Sequence, residues 1–139
     1  MAADKRKMLA RIHRVRVLQF GLAQADEIRA HDKVSSEVQL ADRIAQLTAS
    51  VAPSDGAGFS LAAQAHYRER LTQSADAAES RVRTARFQSV QATEKARAAH
   101  RDQVAVEKLI GRAKADEALR GLRELQNAAP IRRVRHDPC

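Results

Sequence analysis

The sequence predicts an all-α fold: a long antiparallel two-helix coiled-coil hairpin with an overhanging C-terminal helix. Three observations predict it. Alanine is the commonest residue and arginine, leucine, glutamine and glutamate are abundant, all good helix formers, whereas only 3% of the 139 residues are aromatic and tryptophan is absent. Apolar residues recur at steps of three and four along most of the chain. Pro53, Gly56 and Gly58 cluster in SVAPSDGAGFSL, while no proline precedes Pro53 and none separates it from Pro130.

The first helix reads as residues 5–51, with Asp4 as a candidate cap. Met8, Leu9, Ile12, Val15, Leu18, Leu22, Ala25 and Ile28 form one stripe by their spacing, and the stripe is expected to face a partner helix. It thins through RAHDKVSSE, where Val34 is the one strongly apolar residue, and returns as Leu40, Ile44, Leu47 and Val51. Gly21 costs roughly 1 kcal/mol against alanine in a helix interior and is tolerated. Pro53 then stops the helix, and Gly56 and Gly58 permit the positive φ angles of a short reversal, so residues 52–59 read as a loop. A connection that short joins antiparallel neighbours.

The second helix reads as residues 60–127, with Ser60 able to cap it. Steps of four and three from Leu71 reach Ala75, Ala78, Val82, Ala85, Ser89, Ala92, Ala96, Ala99, Gln103, Val106, Ile110 and Ala113. Only Ser89 and Gln103 on that path are polar, and a stripe sustained this far is a coiled-coil seam. Glu79 with Arg83 and Asp116 with Arg120 have the spacing of favourable pairs along a helix face. Residues 1–127 make one hairpin, and 128–139, with two prolines, read as a disordered basic tail. Folded back from its tip, the chain sets residue 4 opposite residue 107. The segment KLIGRAKADEALRGLRELQN then projects as a lone helix with Leu109, Ile110, Leu119, Leu122 and Leu125 uncovered. An alanine-rich seam buries little area, so modest stability in isolation is expected.

The net charge is +8, from 25 basic against 17 acidic residues. Such a balance suits an acidic partner. Arginine outnumbers lysine, which fits forked contacts to carboxylate or phosphate, although a high-GC coding sequence yields the same excess. The hairpin gathers Lys5, Arg6, Lys7, Arg11, Arg14 and Arg16 with Arg101, Lys108, Arg112 and Lys114 at its open end, whereas the tip carries little charge.

Several function classes lack their residues. The single cysteine, Cys139, rules out an intrachain disulfide and fits a reducing compartment. No stretch approaches the ~20 apolar residues of a membrane span, so the chain reads as cytoplasmic. Its five histidines are scattered without zinc spacing, and neither a phosphate-binding glycine loop nor G-x-S-x-G occurs. No catalytic residue, cofactor or metal ligand is expected, and the chain does not read as an enzyme. Positive charge alone would give salt-sensitive, sequence-blind nucleic-acid binding, but there is no helix-turn-helix and no aromatic platform for specific recognition. The amphipathic N-terminal segment could also lie on an anionic membrane. A basic helical nucleic-acid-binding protein, or a coiled-coil adaptor of an unrelated complex, stand as alternatives.

Three stretches carry a family resemblance: RIHRVRVLQFGLAQADEIRA, HYRERL at 66–71, and AHRDQVAVEKLIGRAKAD. With the hairpin layout they resemble the FliJ family, soluble stalk proteins of the bacterial flagellar type III export apparatus, which are similar to injectisome stalk proteins. The family's further acidic helix end has no counterpart in ALRGLRELQNAAPIRR. The resemblance implies a non-catalytic rod that enters the hexameric export ATPase, promotes its assembly and activity, and links it to the membrane export gate. It implies contact with export chaperones and a cytoplasmic place peripheral to the inner membrane. Carried onto this chain, it makes Arg11, Arg14, Arg16, Lys108 and Arg112 ATPase-facing. Tyr67 and Leu71 match the aromatic-to-leucine stretch and face the gate, with Leu47 and Phe59 nearby by hairpin geometry. Leu47 and Leu71 also fall on the seam steps, whereas Tyr67 lies off them.

Overall fold

A computed structural model describes residues 2–50, 61–128 and 130. They form two α-helices packed against each other, α1 (Ala2–Ser50) and α2 (Leu61–Asn127). At 1.5 Å per residue, their 49 and 67 residues make rods of about 70 and 100 Å. Helix α1 starts before the expected cap, so Asp4 sits in its first turn, where a carboxylate suits the positive end of the helix dipole. The expected loop at 52–59, the Ser60 cap and most of the expected tail, Cys139 included, lie outside the described residues.

Cross-helix contacts fix the register. Arg6 pairs with Glu117, His13 with Glu107, Arg16 with Asp102, His31 with Ser89 and Glu37 with Arg81. Numbers rise along α1 as they fall along α2. This register is shifted from the expected one: residue 4 lies near residue 116 rather than 107. The reason is that α2 runs past Ser50 by several turns at its own N-terminal end, so the two helices are offset about the connection. Leu109 and Ile110 are therefore not part of an overhang. Ile110, Ala113, Glu117 and Arg120 line one pocket with Ala2, Arg6 and Leu9, and α2 outruns α1 only from about Gly121.

The face that α2 turns to α1 is the one its sequence steps describe. Every position stepped from Leu71 to Ala113 is buried or half-buried, and all six buried residues of α2 (Ala78, Val82, Ala85, Ser89, Ala96 and Val106) fall on that path.

Helix α1 behaves differently. Its contact face runs Leu9, His13, Arg16, Phe20, Ala23, Glu27, Ala30, Val34, Glu37, Ala41 and Ile44, again in steps of four and three, and each is buried or half-buried. Of the expected apolar stripe, only Leu9 is buried. Met8, Val15, Leu18, Leu22 and Ile28 are 52–68% exposed, and Ile12 is 37% exposed. Leu40 and Leu47 are exposed too, so Ile44 alone of the second group is covered in the described residues.

Two physical terms select this face. The alanines of α2 offer a shallow surface, which the long aliphatic stems of Arg16, Glu27 and Glu37 can cover while their charged ends reach water. The same rotation lets Arg6, His13 and Arg16 meet Glu117, Glu107 and Asp102. Turning the apolar stripe inward would forfeit those pairs and crowd large side chains against a narrow seam. Bulk on α1 is instead set against mixed neighbours on α2: Phe20 stacks at a tilt on His100, centroids 5.0 Å apart, and shares a pocket with Ala96, while Val34 lies level with Ala85.

Polar groups inside the contact are mostly matched. Ser89, 6% exposed, shares a 2.9 Å hydrogen bond with His31 Nδ1, and His31 Nε2 lies 3.7 Å from Glu27 on its own helix. Glu37 Oε2 has no hydrogen-bond partner and relies on the Arg81 guanidinium 3.6 Å away. Of the pairs expected along α2, Arg83 donates to Ser80 rather than meeting Glu79, and no Asp116–Arg120 ion pair forms among the described residues.

Gly21 and Gly111 are helical with open space where a Cβ would stand. Gly21→Ala and Gly111→Ala should each stabilise the chain by about 0.8–1 kcal/mol, read as a higher circular-dichroism melting midpoint. Ala92→Leu with Ala96→Leu should lower that midpoint by overpacking the contact at Ala96, which is 4% exposed. An unchanged melt in the double variant would mean the helices are not closely apposed there.

Candidate docking surface at the basic end

The N-terminal turns of α1 and the C-terminal third of α2 lie side by side, and here the sequence-predicted cations separate into two groups. Arg16 is half-buried and its guanidinium donates to Asp102 (3.3 Å) and to Gln19 (3.1 Å). It holds the helices together. Arg11, Arg14, Lys108 and Arg112 are exposed and enter no ion pair among the described residues.

Helical position sends these free cations in different directions. Arg11 and Lys108 each sit on the side of their helix away from the contact, so they project from opposite sides of the rod. Arg14 and Arg112 fall on its two flanks. Positive charge therefore rings this end rather than forming one flat patch.

Three acids of the same region, Asp102, Glu107 and Glu117, are committed to cross-helix bonds. Arg6 binds Glu117 through both guanidinium and carboxylate edges. That contact holds the Glu117 carboxyl below its usual range, chiefly by hydrogen bonding, with the charges of Arg6 and Arg120 adding to it. Glu107 Oε1 accepts from Gln103 Nε2 at 2.9 Å and bonds His13 Nε2 at 3.3 Å. Both bonds, Gln103 first, lower the Glu107 carboxyl. With Glu107, Asp102 and Glu117 so engaged, the exposed Arg11, Arg14, Lys108 and Arg112 leave the surface of this end predominantly positive.

At the other end, the residues expected to face a partner also divide. Tyr67 is 50% and Leu47 52% exposed, whereas Leu71 is half-buried on the α2 contact face. Leu47 therefore lies on the surface rather than in the seam. In the register above it is level with Leu71, so Leu47 and Tyr67 are available near one another in height along the rod. Phe59 lies outside the described residues.

No group of three or more His, Cys, Asp or Glu among the described residues could hold a metal ion. No described helix is long and apolar enough to cross a membrane. The sequence steps missed one feature, the outward apolar stripe of α1. Its spacing was plain in the sequence, but which side it faces is set by the ion pairs. Compared with known proteins, the chain matches no family model, no curated protein and no solved structure.

The lowered carboxyls give this end a pH dependence. A carboxylate whose folded pKa is depressed contributes stability that is complete above its unfolded value, about 4.3, and is lost as pH falls through the folded value. The melting midpoint should therefore fall below about pH 4, and fall less steeply in a Glu107→Gln, Glu117→Gln variant. Parallel acid profiles for the two proteins would place the sensitivity elsewhere.

Proposed function

We propose that the chain is an antiparallel coiled-coil hairpin that serves as a non-catalytic stalk of the flagellar type III export apparatus. In this reading its basic end enters the hexameric export ATPase and promotes assembly and turnover, while the other end is directed to the membrane export gate. The descending order of the cross-helix pairs and the unbroken steps of four and three support the architecture. The observation that carries the functional reading is the ring of exposed cations, Arg11, Arg14, Lys108 and Arg112, around one end of a long rod. A shaft seated in a ring is contacted from all sides, and charge distributed around its circumference fits that better than a one-sided patch would.

Three further features are compatible with it. Tyr67 and Leu47 offer exposed apolar surface at the far end for a gate contact, with Leu71 supporting them from the helix contact. Leu119, Leu122 and Leu125, 53–74% exposed, lie about where α2 outruns α1 and suit an export chaperone or the ring itself. The chain would then work on the cytoplasmic side, peripheral to the inner membrane through its partners.

Hydrolysis by the host's flagellar export ATPase, titrated with this protein at moderate salt, tests the reading. Stimulation should saturate at well under one chain per ATPase subunit. A variant carrying Arg11→Glu, Arg14→Glu and Arg112→Glu should lose the stimulation and keep its helical circular dichroism; Arg16 is left intact because it bonds across the helices. No stimulation, together with DNA binding that collapses as salt rises, would favour a nucleic-acid coat instead.

A further inference from the structure

Helix α1 carries a second seam that its packing on α2 leaves unused. Steps of three and four from Met8 reach Arg11, Val15, Leu18, Leu22 and Ala25. Met8 is 54%, Val15 52%, Leu18 68% and Leu22 66% exposed. These positions precede the contact residues Leu9, His13, Arg16, Phe20, Ala23 and Glu27 by one or two places. Each residue turns a helix by about 100°, so the second seam looks outward, on the side of α1 away from α2. A step of three and four kept from residue 8 to residue 25 is the pattern of a helix that packs along another helix.

The seam can be covered by a copy of itself, and charge selects the direction. Residues 4–16 hold Lys5, Arg6, Lys7, Arg11, Arg14 and Arg16 against Asp4, a net charge of +5. Residues 17–29 hold Arg29 against Asp26 and Glu27, a net charge of −1. A parallel copy sets the two basic halves side by side. An antiparallel copy sets each basic half on a weakly acidic one.

In the antiparallel arrangement the seam matches itself. With Val15 set against Leu18 of the second copy, Met8 faces Ala25 and Arg11 faces Leu22 of that copy. Arg11, the polar member, can lay its stem along that leucine and keep its guanidinium in water. At each end Asp4 comes level with Arg29 of the second copy, and Lys5 lies beside Asp26 of that copy, opposite in sign both times. Asp26 and Arg29 are bonded to each other along α1, so the ends close on a cluster of mixed charge.

The net charge of +8 is compatible with this pairing. The basic halves, centred near residue 10, stand about 20 Å apart along the axis, against a screening length of about 8 Å at physiological ionic strength. Each α2 lies on the outer side of its own α1, clear of the second copy.

We propose that residues 4–29 of α1 form a self-complementary interface through which two copies of this chain associate antiparallel, α1 against α1. The inference stands apart from the export reading, and its test contains no ATPase. Arg11 lies inside the contact, so a second copy and a ring would compete for this end of the rod.

Sedimentation equilibrium of the full chain at physiological salt should show a monomer–dimer equilibrium at roughly 10–100 micromolar chain. Val15→Ser with Leu18→Ser should weaken the dimer at least about a hundredfold, because each copy withdraws two apolar side chains from the contact. Helix content should be unchanged, since both residues are more than half exposed in the single chain. Added salt should strengthen the association or leave it unchanged, since the net force it screens is repulsive. Orientation is read from a nitroxide at Lys33→Cys in a Cys139→Ser chain by double electron–electron resonance. Antiparallel copies hold the two labels about 50 Å apart, whereas parallel copies hold them within about 20 Å.

A chain that stays monomeric over that range would overturn the proposal. So would a dimer that Val15→Ser with Leu18→Ser leaves intact, or labels within the shorter distance. A monomer that binds phosphatidylglycerol vesicles, and loses them in the same variant, would give the stripe to a lipid surface instead.

Discussion

The shallow contact face of α2 constrains everything else in this molecule. Alanine at Ala75, Ala78, Ala85, Ala92, Ala96 and Ala99 lets two helix backbones approach closely, but each methyl removes little area from water. A partner helix with a broad apolar face would gain nothing from its outer residues against such a strip. Helix α1 accordingly presents a face of mixed character. Leu9, Phe20, Val34 and Ile44 fill space, and Arg16, Glu27 and Glu37 lay their stems along the alanines with charged ends at the edges. The apolar surface that this choice displaces is the stripe from Met8 to Leu22.

That constraint also decides what was legible in the sequence. Helix α2 could be read residue by residue, because its small and apolar positions have one regular path and no competitor. Its only polar interruptions, Ser89 and Gln103, are both bonded in the structure, to His31 and to Glu107. Helix α1 offers two paths of equal period. Hydrophobicity favours the one through Met8, Val15 and Leu22, whereas the folded chain uses the one through His13, Arg16 and Glu27. A hydrophobic count sees only the first. The signal that would have found the second is pairwise: Arg6, His13 and Arg16 are spaced to meet Glu117, Glu107 and Asp102, running in reverse. Reading it needs the register, and the register depends on how far α2 continues past the connection.

The same step sorts the candidate site. Five cations were legible as a basic end, but composition treats them as equivalent. Geometry does not. Arg16 spends its charge on Asp102 and Gln19, whereas Arg11, Arg14, Lys108 and Arg112 keep theirs for solvent or a partner. At the far end the division is by burial: Leu71 supports the helix contact, and Leu47, assigned by spacing to that contact, stands outside it. Exposed bonds of this kind add little stability singly, since water competes for both ends. Their larger effect is to choose among rotations of α1 that differ little in buried area, which is a matter of specificity.

A rod assembled this way is left with an internal conflict that bears on function. Its most apolar stripe faces water beside its most basic end, so hydrophobic attraction draws copies together while charge repulsion holds them apart. Burying the stripe against a parallel copy relieves the first and aggravates the second. The thinness of the two-helix contact and the surface left open on α1 therefore have one source, the alanine face of α2, against which a broad apolar stripe gains little.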